Sequence, residues 1–474
     1  MVSRKGGGNN MSFKHGRHRF AILLGTALAG IALAGLTPTY AQDNGQSARE
    51  KALEERVEQL EKLVRELGKR SPSTSATSPA PTPETAVTPV QPSAVAATAT
   101  SGPPPVQSTS VTPNSPSGTT FMYTGYVKAD ALFTKAKNGE IADPSPGRDY
   151  YVPSTIPIGG IPTSTELNAH VKQTRLQLGT DTPVGADKVS TRVEVDLFGT
   201  ALGDRRVTNT YGLQLRHAYI TYGGLLVGQT WTNFMDVATL PDSVDYIGAN
   251  DGTIFIRQPQ VRYSIAGFTF SLEDPETTLT PNGGGDRIVS NQMNIPDVVA
   301  RYTLKGAWGQ LSLAGMGRQL KYVRTTDPRI DDSTWTGAVS LFGKIMLNKD
   351  DIRFALSGGN LGRYAGLNFV NDGVIDSQGN LKAINGVAGF IAYRHVWNSQ
   401  LRSSVWFAEQ RYDNNSVLTG ITANRLSRSY AANLWYAPIP KLEFGGELLH
   451  GRRELENGRS GSLNRVELTT KYSF

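Results

Sequence analysis

The segment Arg465–Phe474 reads RVELTTKYSF, and its alternation constrains the fold more than any other feature of the chain. Val466, Leu468, Thr470, Tyr472 and Phe474 occupy every second position, with Arg465, Glu467, Thr469, Lys471 and Ser473 between them. Successive side chains of a strand point to opposite faces, so this segment has one largely apolar face and one charged face. A soluble sheet would turn the apolar face to a core and the charges to water. Here the same pattern recurs over hundreds of residues, and the charges fall where a soluble barrel would keep its core.

From Phe121 onward the period is two. In KVSTRVEVDLF, Val189, Thr191, Val193, Val195 and Leu197 alternate with Ser190, Arg192, Glu194 and Asp196. GFTFSLE, DVVARYTL, DIRFALS and KLEFGGEL repeat the theme. Turn signals predict about sixteen strands, near 121–134, 168–182, 187–200, 211–222, 224–232, 259–265, 267–274, 296–304, 309–320, 335–347, 351–360, 385–397, 400–412, 426–437, 440–451 and 462–474. Short turns alternate with long loops, the pattern of an outer-membrane barrel. The expected fold is therefore all-β: a transmembrane antiparallel barrel over 119–474, closed by pairing its last strand with its first. No run after the N-terminus approaches the ~20 apolar residues of a membrane helix, so a spanning chain of this kind must use strands.

Three segments precede the barrel. Lys14, Arg17 and Arg19 lead into the apolar run Phe20–Leu36 and then TPTYAQ, which predicts a signal peptide over 1–41 cleaved after Ala41. Five of the 48 basic residues and none of the 41 acidic ones lie there. The mature chain is thus nearly neutral, and the alkaline isoelectric point makes no case for nucleic acid. Over 46–69, Leu53, Val57, Leu60, Val64 and Leu67 mark a heptad seam, predicting a short coiled-coil helix. Residues 70–118 form a Pro/Thr/Ser-rich linker, expected to be disordered, in which Glu84 is the sole charge after Arg70.

If apolar positions face lipid, the opposite parity faces the lumen. That rule turns Arg175, Arg192, Arg216, Arg262, Arg301, Arg318, Arg353, Arg394, Arg402 and Arg465 inward, with Lys128, Lys344, Lys471 and fewer acids. Rings of arginine favour anions, and the guanidinium fork suits carboxylates. The long loop after the fifth strand carries Asp236, Asp242, Asp245 and Asp251 and ends near Arg257. A loop of this kind folding into the lumen would narrow it, and these five residues are the expected constriction.

Catalysis finds little support. Cysteine is absent, the four histidines beyond the signal are scattered, and neither G-x-S-x-G nor H-E-x-x-H occurs. No metal, cofactor or enzymatic activity is expected. Two other readings stay open: an envelope tether acting through the helix, with cell-wall contact, and a barrel-embedded hydrolase.

The signal, heptad helix, Pro/Thr linker, first strand YTGYVKADALF, loop GLLVGQTWTNFMD and terminal KYSF together resemble the DcaP-like outer-membrane porins. The resemblance implies a homotrimer of sixteen-stranded barrels in a Gram-negative outer membrane, with the coiled-coil helix of 46–69 in the periplasm, and uptake of small carboxylate anions, dicarboxylates above all. Tyr472 and Phe474 resemble the signal read by the barrel-assembly machinery. The Val/Leu seam by itself hints at a dimer, but helices tethered beneath a trimer would follow the barrel.

Overall fold

The structure, a computed structural model, describes residues 62, 116, 118–199, 211–292, 294–326 and 329–474. The expectations for 1–41, 46–69 and 70–118 fall outside the described residues, apart from Lys62, Pro116 and Gly118. No described helix is long and apolar enough to cross a membrane.

Paired hairpins build the wall. The first six strands are β1 (Thr120–Ala136), β2 (Glu166–His170), β3 (Arg175–Val184), β4 (Asp187–Gly199), β5 (Gly212–Tyr222) and β6 (Leu225–Trp231). Then come β7 (Arg257–Ile265), β8 (Phe268–Glu273), the short β9 (Thr277–Thr280) and β10 (Ile288–Ser290), and β11 (Asp297–Gly306). They are followed by β12 (Gly309–Arg324), β13 (Ile330–Leu347), β14 (Asp350–Gly359) and the short β15 (Gly373–Ile375) and β16 (Leu381–Ala383). The series ends with β17 (Asn385–Val396), β18 (Leu401–Asp413), β19 (Asn424–Ile439), β20 (Leu442–Leu455) and β21 (Ser460–Ser473). Each pairs antiparallel with its neighbour, except that β9, β10, β15 and β16 form a separate small sheet.

β2 and β3 are two halves of one wall strand. Both pair with β1, over Asp130↔His170 to Thr134↔Glu166 and over Thr120↔Asp181 to Tyr126↔Arg175. The expected strand 168–182 is therefore interrupted at 171–174. There the Thr174 hydroxyl replaces a ladder partner: it accepts from Lys128 N at 3.2 Å and reaches Lys128 O at 3.4 Å. Counted this way the wall has sixteen strands, and β1 pairs with β21 from Tyr126↔Ser473 to Ala136↔Leu463 to close it. Closure removes both sheet edges. Phe474 N donates to Gly125 O at 3.0 Å, and the Phe474 ring stacks on Tyr123 at 5.3 Å. Gly125 is required here, because a Cβ would lie 2.3 Å from Arg175 O.

The two faces follow from the alternation. Leu178, Leu313, Val339, Leu356, Ile391, Leu434, Leu448 and Leu468 are exposed on the outside. On the inside lie Lys128, Asp130, Ser190, Asp196, Gln260, Ser340, Ser404, Glu447 and Thr469. An apolar exterior with a polar interior is the arrangement that lipid selects. The bulge on β5 breaks parity beside the candidate site. Between Glu194↔His217 and Val195↔Leu215 the register shifts, and Arg216 is the extra residue. The bulge turns Arg216 and His217 inward together, each less than a tenth exposed.

Candidate functional site

The interior is filled from one end by the long connections, here numbered in chain order: L1 (137–165), L3 (232–256), L4 (274–296) and L6 (360–384). L3 leaves β6 and follows the inner wall. Asn233 N donates to Glu273 Oε1 at 2.8 Å, and Arg301 Nη1 reaches Met235 O at 2.8 Å. Asp236 caps the turn Val237–Thr239 through Ala238 N and accepts from Gln310 Nε2 at 3.1 Å. Arg353 Nη1 then meets Leu240 O at 2.6 Å, and Arg402 Nε meets Asp242 Oδ2 at 2.7 Å.

The far wall holds the loop most densely. Glu447 of β20 accepts from Ser243 Oγ at 2.8 Å, Val244 N at 2.9 Å and Asn433 Nδ2 at 2.9 Å. Lys128 Nζ donates to Val244 O at 2.9 Å, and Asn433 Nδ2 to Asp242 O at 2.7 Å. Asp245 accepts from Tyr151 N of L1 at 2.7 Å and from Ile247 N and Gly248 N of its own loop. Asp251 is fully buried and accepts from Ser429 Oγ of β19 and, at 3.3 Å, from Tyr151 OH. Burial without a cation pushes the Asp251 carboxyl up to about 6. The loop thus obeys a general requirement: its backbone carbonyls have left the sheet ladder and must find donors elsewhere.

This use of the wall divides the inward arginines. Arg301, Arg353 and Arg402 bind L3. Arg465 is 2 % exposed, with Nε on Thr134 Oγ1 at 2.8 Å and Nη2 on Gly147 O of L1. Arg318 is wholly buried: Nη1 lies 2.6 Å from Asp372 Oδ1, Nε 3.4 Å from Asp297 Oδ2, and Nη2 2.6 Å from Glu276 O. Arg318 and Arg465 were expected to line an open lumen. They instead sit beneath L6 and L1, because the loops bring carbonyls and carboxylates to them that strand parity does not reveal. Arg394 pairs with Asp351 at 2.6 Å, and Arg192 with Asp181 at 3.0 Å. Arg175 lies 3.4 Å from Glu194, whereas Arg262 bonds to Gln260 Oε1 at 2.9 Å and to Trp231 O.

Open space remains on the other side, between L1, L3 and the β4–β6 wall. A cavity of about 850 Å³ lies there, bordered by Arg148, Tyr150, Lys172, Tyr246, Phe255 and Arg257. Arg216 underpins it, held 2.6 Å from Glu194 and 2.8 Å from Asp196 and touching the Tyr246 hydroxyl. Arg257 is different. Its guanidinium lies over the rings of Trp231 at 4.6 Å and Phe255 at 5.6 Å, and no carboxylate among the described residues lies within 4 Å of it. Its Nη1 is buried without a hydrogen-bond partner. Arg148, Lys172 and Tyr246 escaped the sequence reading because they lie on loops or at the strand break, where no periodicity assigns a direction.

Among the described residues no group of three or more His, Asp or Glu side chains could hold a metal. His170, His217, His395 and His450 bond to Asp149 O, Thr230, Asp350 and Asn464 respectively. Tyr472 lies outside, half exposed, opposite Val127 and Leu442.

Comparison with known proteins places this architecture. The chain is similar to the outer membrane channel DcaP of Acinetobacter baumannii, at 24 % identity and a TM-score of 0.61, covering 76 % of this chain and 99 % of that one. Outer-membrane expressed OmpT of Vibrio cholerae follows at 9 % identity and a TM-score of 0.46, covering 76 % and 99 %. OmpF of Salmonella typhi gives 11 % identity and a TM-score of 0.46, covering 75 % and 98 %. No curated protein matches the sequence. The family model described as DcaP outer membrane protein matches residues 117–474, and the chain belongs to that family.

Proposed function

We propose that this protein is a passive diffusion channel of the outer membrane, narrowed by L3 and selective for small anions, carboxylates in particular. The observation that carries the reading is Arg257. Among the described residues this guanidinium has no carboxylate within 4 Å, and it borders the open cavity together with Arg148, paired with Glu140 at 2.7 Å, and Lys172, paired with Asp149 at 2.5 Å. Such a group retains its capacity to bind a passing carboxylate, whereas the arginines holding L3 have already spent theirs. L3 is the constriction in this reading. Asp242, Asp245 and Asp251 pin it to the wall and to L1, and Arg257 lies at the end of the same loop on the margin of the open cavity. A homotrimer is the assembly that the family resemblance implies.

The test is current through the purified protein in a planar bilayer under a salt gradient. The expected result is conductance closing in steps of three with an anion-selective reversal potential, which Arg257→Ala moves toward neutrality. Cation selectivity in the unaltered protein would overturn the anion reading. Correctly folded barrels that carry no current would overturn the channel itself.

A further inference from the structure

The outward face of β18–β20 carries a cluster of charged residues directly above its apolar belt. Along β19, Tyr436, Leu434 and Tyr430 are exposed on the outside, and Arg428 follows one pleat nearer the long loops. On β20 the same face runs through Phe444 and Leu448 to His450 and Arg452. On β18 it runs through Val405 and Phe407 to Glu409 and Arg411. Long loops mark the external end of such barrels, so these arginines lie at the outer interface, just above the apolar belt.

Their pairing is unusual. Arg428 and Arg452 are directly opposite one another in the β19–β20 ladder. Like charges in that position oppose strand pairing. Carboxylates partly compensate: Glu409, directly opposite Arg428 in the β18–β19 ladder, lies 3.4 Å from it, and Glu454, two residues along β20, lies 3.4 Å from both Arg452 and Arg425. The Arg428 and Arg452 side chains stay 44 % and 48 % exposed. Arg411 is exposed one pleat higher, near Asp413, and no carboxylate lies within 4 Å of it among the described residues. An anion seated between Arg428 and Arg452 would relieve the repulsion, and a phosphate offers the oxygens for two guanidinium forks.

We propose that this face binds a phosphorylated, acylated glycolipid of the outer leaflet. Its phosphate sits between Arg428 and Arg452 within reach of Arg411, and its acyl chains lie along Phe407, Tyr430 and Leu448. The occupant is a lipid because the basic cluster and the apolar belt are continuous on one outward face. A soluble anion would use only the first, and a bare acyl chain only the second.

The full-length protein in detergent is titrated with deep-rough lipopolysaccharide, and bound lipid per protomer is counted by native mass spectrometry. The Arg428→Ala/Arg452→Ala double variant is expected to weaken binding by about tenfold or more. Arg329→Ala, exposed on a different part of the rim, serves as the control and should bind as the parent does. Arg428→Lys/Arg452→Lys keeps the charge but loses the fork and should bind at an intermediate level; it also covers the case in which the alanine pair fails to fold. Equal binding after phosphatase treatment of the lipid would overturn the proposal, as would equal binding of phosphatidylglycerol. Full competition by inorganic phosphate alone would reduce the face to a simple anion site and also overturn it. Loss of oligomer in the double variant would reassign the face to contact between protomers.

Discussion

Glu447→Ala should release L3 from the wall, and the size of the effect follows from the contacts. Glu447 accepts from three donor groups, two of them Ser243 Oγ and Val244 N in the loop. Bonds to a charged acceptor contribute ~1.5–3 kcal/mol each, and leaving Val244 N buried without a partner adds ~1–3 kcal/mol. One term acts in the opposite sense. Glu447 stands opposite Glu467 in the β20–β21 ladder, so removing it also removes like-charge repulsion. The balance is a loss of about 3–5 kcal/mol in the local opening energy of the loop, with the lower end favoured. Amide hydrogen exchange of 240–252 in the reconstituted protein should then accelerate roughly 10²–10³-fold. Glu447→Gln keeps an acceptor oxygen and should lie between variant and parent. An alanine variant with a closed barrel and exchange within about threefold of the parent would refute the view that this carboxylate seats the loop.

Three further outcomes follow from the same geometry. Gly252→Ala would place a Cβ 2.1 Å from Gly389 O on β17, so the loop must retreat by roughly 1 Å at a cost of ~1–3 kcal/mol, read as faster proteolysis within L3. Asp251 has its carboxyl raised to about 6 by burial. The loop's seating is therefore firmest below about pH 4 and weakens as pH rises through 6, by at most about 3 kcal/mol, and Asp251→Asn should flatten that dependence in exchange measured from pH 4 to 7. Arg318→Ala would leave Asp372 buried without its cation, while Asp297 keeps Arg363 at 3.1 Å, and should cost ~3–5 kcal/mol, read as a lower temperature for loss of heat-resistant folded barrel on gels.

The sixteen wall strands were legible in the chain because lipid and water enforce alternation. Slipping one residue at Val193 or Leu448 would send an apolar side chain inward and a charge into hydrocarbon. For the same reason the inward direction of Arg175, Arg353 and Arg402 could be read from parity alone. Parity fails where the backbone leaves the ladder. Thr174 replaces a backbone partner at the break between β2 and β3, and the bulge turns His217 inward beside Arg216, where alternation would send it out. Neither leaves a mark on local hydropathy.

What the sequence by itself determined is the wall: which segments are strands, which face a side chain takes wherever the ladder is regular, and that the loop between β6 and β7 is long and rich in aspartate. Those properties rest on interactions between neighbours in sequence and their solvent, so they are written locally. Only the tertiary structure decided which arginines meet open space and which meet a loop. Arg318 meets Asp372, Arg465 meets Gly147 O, and Arg257 meets no carboxylate among the described residues, and such partners come from residues tens to hundreds of positions away. A guanidinium's function here depends on what has already satisfied it, and that is settled only when L1, L3 and L6 fold into the barrel.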